Sequence, residues 1–349
     1  MNKNVVQKYT QLNRKKIVMG GILLIFLLLF GIFSLTIGGY NLSLSAIYLA
    51  LIGKGVSAAE LIIWNIRLPR ILAAIIAGIS LAVSGAVMQC TLRNPLASPY
   101  TIGISHGAMF GAAVAIILFG IGGADSTGKI FINSPYLITV FAFLGSFVAV
   151  LVILLLAKLK NFAPETIILA GVAMSSLFTA GTMVMQYFAN DLQLAAMVYW
   201  SFGDLGRPNW VEVGIMAVFV VLSVAYFIYK RWDYNALESG EESAKSLGVN
   251  TEKTRLLGML IAALLVSVNV AFLGIIGFVG LICPHLVRIL IGGDYRFIIP
   301  ISALTGALLL LISDTVARTI ISPIVLPVGI LTSFLGAPVF LYLLIKRYR

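Results

Sequence analysis

The chain has 349 residues, of which 60% are hydrophobic and only 11% charged, with a net charge of +11. Soluble domains carry roughly 25% charged residues, so a mean hydropathy of +1.05 with apolar runs from end to end marks an all-α polytopic membrane protein and excludes a soluble domain. The basic residues flank the apolar runs, as headgroups and topology require, which leaves nucleic acid unneeded as a partner, and the two cysteines, Cys90 and Cys283, make no disulfide framework.

Residues 1–16 are polar and basic and are expected to form a cytoplasmic N-terminal segment. A single transmembrane domain, 17–345, follows, with a cytoplasmic tail at 346–349. The first span, 17–37, is long for a signal peptide and lacks a cleavage site, so it should be retained. A mixed segment, 38–60, leads to the second span at 68–88, where Pro69 suits a first helical turn. A polar hinge, Gln89–Pro99, precedes the third span at 101–120. A loop, Gly122–Pro135, precedes the fourth at 136–157. The fifth covers 164–186, and a short non-spanning helix fits within 187–209. The sixth covers 210–229. Spans seven to ten fall at 256–273, 277–291, 297–317 and 325–345, with Gly274, Gly277 and Gly280 interrupting the run between seven and eight. Ten spans place both termini on one side. That side holds eighteen of the 24 lysines and arginines, so the positive-inside rule makes it cytoplasmic. The localisation implied is the cell membrane, multi-pass.

The segment 230–255, KRWDYNALESGEESAKSLGVNTEKTR, is the longest strongly polar interval between long apolar ones. It reads as a cytoplasmic platform with a short helix near 240–247. Ser239, three residues before Glu242, fits a capping box. Gly248 fits a C-terminal stop, and Ala244 and Leu247 form the apolar side. Such a helix is either part of an ordinary loop or a docking surface for a partner.

Arg67 and Arg70, three residues apart, and Arg318 lie at outer edges, where the positive-inside rule disfavours them. They either snorkel to the interface or meet carboxylates of an external protein or an anionic substrate. Met174, Met183 and Gln186 lie along the fifth span, as ordinary core or as part of a translocation path. Small residues at Ala74/Gly78, Ser80/Ser84 and Gly107/Gly111 suit close helix approach. His106 and His285, the two histidines, lie far apart and suggest no metal site. Neither a HExxH nor a GxxxxGK[ST] pattern occurs, so no catalytic, cofactor or metal residues are expected, and any ATP would be used by separate subunits. Membrane acids are few, with Asp314 near an outer end, which leaves little material for a proton relay.

Several segments together resemble one family. They are Arg67-Leu68-Pro69-Arg70, Gly85-Ala86-Val87-Met88-Gln89, Arg93-Asn94-Pro95-Leu96-Ala97-Ser98-Pro99, Gly103-Ile104-Ser105-His106-Gly107-Ala108, Ala244-Lys245-Ser246-Leu247-Gly248-Val249, Gly277 through His285, and Leu335-Gly336-Ala337-Pro338-Val339-Phe340. In this order, over about residues 20–345, they are similar to the FecCD-type permeases of ABC importers for iron–siderophore chelates, haem and cobalamin. The resemblance implies the type II permease fold with ten helices per subunit, a homodimer with its pathway between subunits, and two ATP-binding cassette subunits docked on a coupling helix at about 238–250. It also implies an extracytoplasmic substrate-binding protein whose glutamates meet outer arginines, to which Arg67, Arg70 and Arg318 correspond. The pathway would involve about 164–199. The cargo expected is a bulky metal chelate, foremost an iron(III) siderophore, with cobalamin, haem or molybdate/tungstate as alternatives. The protein would be no enzyme: ATP binding at the partners would drive alternating access. A carrier or channel needing no ATPase is the reading from another class.

Overall fold

The structure, a computed structural model, describes residues 3–38, 42–121, 123–124, 130–131, 134–160 and 162–347. Gly39, Lys129 and most of the expected 122–135 loop lie outside them. Helix α1 (Lys3–Thr36) carries the first apolar run. It begins well before residue 17, because Gln7–Lys16 contains good helix formers and no breaker. Residues 3–16 are therefore the first turns of that helix. Helices α2 (Leu44–Leu51) and α3 (Ser57–Ile62) fill the mixed segment. A π-helical turn, Ile63–Arg67, joins α3 to α4 (Leu68–Thr91), whose first turn holds Pro69. The expected hinge starts later than Gln89: that residue is still helical and buried, and its Nε2 donates to the Leu281 carbonyl at 3.1 Å.

The chain continues through α5 (Ile104–Phe119), a two-residue antiparallel pair β1 (Gly123–Ala124) and β2 (Ile130–Phe131), α6 (Pro135–Lys158), α7 (Pro164–Phe188), α8 (Asp191–Ser201) and α9 (Trp210–Tyr229). Two short helices follow, α10 (Arg231–Glu238) and α11 (Glu241–Ser246), then α12 (Thr251–Leu273), α13 (Val279–Ile291), α14 (Tyr295–Thr319) and α15 (Val328–Arg347). The helix expected within 187–209 is α8, closed at its start by a reciprocal Asn190–Gln193 capping box. Among the described residues, seven helical stretches are long and apolar enough to cross a membrane. The shorter apolar helices α5, α13 and α15 stand at the third, eighth and tenth expected spans.

Helix α4 is the axis of the bundle. The apolar window containing it is 78% buried, against 11% for α1, and it packs on α14, α12, α13 and α9. Lipid tails are as apolar as leucine, so helices in a membrane are held by close backbone approach and interhelical hydrogen bonds. Both are present. A Cβ on Gly78 would stand 2.6 Å from the Gly306 carbonyl carbon on α14. One on Gly107 would lie 3.0 Å from the Gly145 carbonyl carbon on α6. Ser84 Oγ donates to the Ala262 carbonyl at 3.2 Å, and Asn269 Nδ2 donates to Ser80 Oγ at 2.6 Å, tying α12 to α4.

The run between α12 and α13 breaks at residues 274–278. Gly274 has φ +79° and Phe278 φ +65°. The Val279 N–H donates to the Gly277 carbonyl at 2.8 Å, which makes Phe278 the centre of a strained classic γ-turn. Gly280 serves packing instead, with its Cβ position 2.8 Å from the Leu81 carbonyl oxygen. The glycine cluster thus does both a bend's work and a contact's.

Candidate functional site

Three places gather functional residues: an ion-pair cluster at one end, a chamber beside the helix break, and a polar face at the other end.

The cluster centres on Asp314 of α14, which is fully buried. Arg70 reaches its Oδ1 from α4, Nε at 2.9 Å and Nη2 at 2.8 Å. Arg318, one turn further along α14, brings Nε within 3.0 Å of Oδ2. Arg318 also donates to the Ile37 carbonyl at 3.0 Å and to Ser34 Oγ at 2.6 Å, holding the end of α1. Arg67 donates to the Leu35 carbonyl. Asp204, in the α8–α9 loop, stands 3.5 Å from Arg70. The arginines expected at an outer edge thus have partners within the chain, with Arg67 at 4% and Arg318 at 8% exposure. For Arg70 and Arg318 the physical reason is Asp314, whereas Arg67 is held by the Leu35 carbonyl. A carboxylate among the helices satisfies guanidinium groups that would otherwise seek water or an external partner.

The chamber lies between α5, α7, the end of α8, the 274–278 break and α15. Its larger part has a volume of about 840 Å³ and its smaller part about 270 Å³, and both are open on one side. Tyr100, Ser201 and Ile275 border both. Backbone contacts fix its wall: the Gly329 N–H donates to the Gly203 carbonyl at 3.1 Å, and Asp204 N–H to the Leu273 carbonyl at 2.9 Å. Arg207 donates to the carbonyls of Tyr199, Trp200 and Phe202, closing the C-terminus of α8. Of the residues read as a possible path, Met183 and Gln186 line the smaller part, whereas Met174 is buried in the core. Met174 and Met183 are nine residues apart, roughly half a turn out of phase on a helix of about 3.6 residues per turn. They cannot share a face, while Met183 and Gln186 do. Sequence reasoning missed Phe278, Phe334 and Phe340, whose rings border the larger part.

The polar face carries α10 and α11. The expected helix near 240–247 is α11. Its C-terminus is a Schellman arrangement, with Gly248 N–H donating to Lys245 O and Val249 N–H to Ala244 O, both at 3.0 Å. Gly248 has φ +80°, as its role as a stop requires. The expected capping box is absent. Gly240 is the N-cap, and Ser239 Oγ instead donates back to the Asn235 carbonyl at 3.2 Å. The unforeseen α10 runs to Glu238, so Ser239 belongs to the end of that helix. Glu242 keeps its place in the first turn of α11, where the helix dipole favours an acid. Glu241 pairs with Lys245 at 3.0 Å and Arg255 at 2.9 Å. The Lys245 hydrogen bond, with help from Arg255, holds the Glu241 carboxyl below its usual range. Ala244 is buried, while Leu247 is 70% exposed. Helix α10 braces this face. Asn235 Nδ2 donates to Asp294 at 3.1 Å, the Tyr295 N–H donates to Asn235 Oδ1 at 2.7 Å, and Glu238 pairs with Arg288 of α13.

The FecCD transport family model matches residues 24–346. The chain is 71% identical, over 99% of each chain, to a protein of Methanocaldococcus jannaschii provisionally named an ABC transporter permease. It is 37% identical to the hemin transport system permease of Yersinia pestis, over 95% of this chain and 96% of that one. With the vitamin B12 import system permease of Vibrio cholerae it shares 35% identity over 84% and 85% of the two. An inward-facing structure provisionally described as a metal-chelate type ABC transporter superposes with a TM-score of 0.82 at 33% identity, over 94% of this chain and 99% of that one. With sequence and architecture agreeing along nearly its whole length, the chain belongs to the FecCD transport family and is an ABC transporter permease.

Proposed function

We propose that this chain is the membrane-spanning subunit of a binding-protein-dependent importer that carries a bulky metal chelate, foremost an iron(III) siderophore, and is driven by separate ATPase subunits. The observation that carries the reading is the chamber. At about 840 Å³ it has the volume of a site for a large ligand, and it opens beside a helix break in a chain of this family. Relatives named for hemin and for vitamin B12 keep haem and cobalamin as alternative cargoes. The subunit acts as one half of a homodimer, with the chambers of two copies facing one pathway. The polar face is cytoplasmic, supported by the excess of lysine and arginine on that side, and both termini lie there. Helix α11 receives the ATPase. Its exposed Leu247 enters the partner, while Glu241, Arg255 and α10 transmit movement to α12, α13 and α14. The permease makes no covalent bond with its cargo. Reorientation of its helices moves the cargo inward.

Solubilising the tagged chain from its native membrane should recover an ATPase subunit and an extracytoplasmic binding protein. The reconstituted complex should accumulate a metal chelate only with ATP. Uptake that is indifferent to ATP would overturn the reading. Leu247→Asp should cut ATP-driven uptake at least tenfold. The same variant should leave yield and monodispersity unchanged, because the side chain it replaces faces solvent. Undiminished uptake would remove α11 from the docking role.

A further inference from the structure

The two parts of the chamber share an unusual chemistry. Among the described residues that line them, none is Lys, Arg, Asp or Glu. The smaller part offers neutral polar groups: the hydroxyls of Ser105, Thr179 and Thr182, the amide of Gln186 and the imidazole of His106. The larger part offers mainly apolar surface, with the rings of Phe202, Phe278, Phe334 and Phe340.

Two charged residues close to the lining are committed elsewhere. Arg207 sits directly behind it, yet its guanidinium is committed to three carbonyls at the end of α8. Asp204 follows the lining residue Gly203, yet its carboxylate accepts the Gly206 N–H at 2.9 Å and faces Arg70. The chain does place charges in a cavity at its other end. A basin of about 440 Å³ there is lined by Arg93, Lys160, Glu165, Glu241 and Arg255. A charge-free lining is thus not imposed on every cavity of this chain.

An uncharged and largely apolar wall penalises a multiply charged guest, which loses water and gains no counter-charge. The same wall suits a neutral guest. The Gln186 amide can exchange hydrogen bonds with a rim of amides, hydroxyls or carbonyls, and the Thr179 and Thr182 hydroxyls, whose protons go to the Ser175 and Phe178 carbonyls, can accept from it. Aromatic faces and the adaptable Met109 and Met183 can follow an irregular apolar surface.

We infer that the cargo is a bulky metal chelate of near-zero net charge with an amide- or hydroxyl-bearing rim, such as a ferric trihydroxamate, and that polyanionic chelates are disfavoured in the chamber itself. This rests on the importer reading above and adds the charge class of its cargo.

The test uses the permease with its ATPase subunits in nanodiscs, without the binding protein, so that the chamber is probed apart from delivery. The probes are a neutral cyclic ferric trihydroxamate and a trianionic ferric tris-catecholate, and retention is followed by equilibrium dialysis and chelate absorbance. The neutral chelate should bind at least tenfold more tightly. Gln186→Lys, which sets a cation in the smaller part, should narrow that ratio at least threefold while the complex stays monodisperse. Equal or tighter binding of the tris-catecholate would overturn the inference. So would retention of neither probe by a complex that, with its binding protein, performs ATP-driven chelate uptake. If the complete complex shows no ATP-driven uptake of any chelate, it is the importer reading that fails.

Discussion

Gly85→Ala should abolish recovery of folded permease. A Cβ at Gly85 would lie 2.6 Å from the carbonyl carbon of Gly280 and 2.9 Å from its Cα. Both are backbone atoms that no rotamer change can move. Relief requires α4 and α13 to separate, and α4 is packed on α14, α12 and α9 as well. Overpacking of this kind costs about 3 kcal/mol, and more where the obstacle is rigid backbone, which is a large share of the roughly 5–15 kcal/mol that holds a typical domain folded. Gly21→Ala, on a face of α1 with nothing within 4 Å, should be silent. Fluorescence-detected size exclusion of the two tagged variants makes the comparison. A normal monodisperse peak for Gly85→Ala would mean that α4 and α13 are further apart than described.

Asp314→Asn should be the second severe change. The carboxylate is fully buried and is the shared partner of Arg70 and Arg318, whose side chains are 11% and 7% exposed. Removing one member of a buried pair costs about 3–5 kcal/mol, because the remaining charge has no compensation. Here two guanidinium groups are left, Arg70 with only the more distant Asp204 carboxylate at 3.5 Å. Asparagine conserves the volume, so the loss reports charge rather than packing. Asp204→Asn, at 3.5 Å from Arg70 and 24% exposed, should cost about 1 kcal/mol or less. Adding Arg318→Gln to Asp314→Asn should restore part of the thermal midpoint, since it removes one orphaned cation. Strict additivity in that double-mutant cycle would deny the coupling.

The apolar spans were legible because lipid imposes length and composition on a helix. Helix α11 was legible because acids at its start and Gly248 at its end are local signals. Helix α10 was not. Arg231–Glu238 looks like a charged loop, since its inner side combines Tyr234 and Leu237 with Asn235, whose partners Asp294 and Tyr295 lie some sixty positions away in sequence. The arginine cluster was half-legible. Asp314 and Arg318 stand at i and i+4, a spacing that pairs side chains on any helix. Arg70 and Asp314 are separated by 244 positions, a distance that only the fold closes. In the chamber, helical phase alone separates Met174 from Met183. The phenylalanine rings of the larger part come from three separate segments, so no local pattern announces them.

Helix α1 carries its polar fastenings at its two ends, with Leu23, Leu27 and Phe30 packed on the core between them. Arg318 and Arg67 hold Ser34, Leu35 and Ile37 at one end. At the other, Arg296 donates to the Tyr9 hydroxyl at 2.8 Å and Lys16 sits over the Phe297 ring. Its apolar flank faces outward along most of its length. A long helix surrounded by acyl chains answers a thicker or thinner bilayer by changing its tilt, at a cost of fractions of a kcal/mol per ångström of mismatch. Because the fastenings join the Asp314 cluster and the start of α14, a change of tilt in α1 bears on those two groups. Lipid thickness thereby has a mechanical handle on the axis of the bundle.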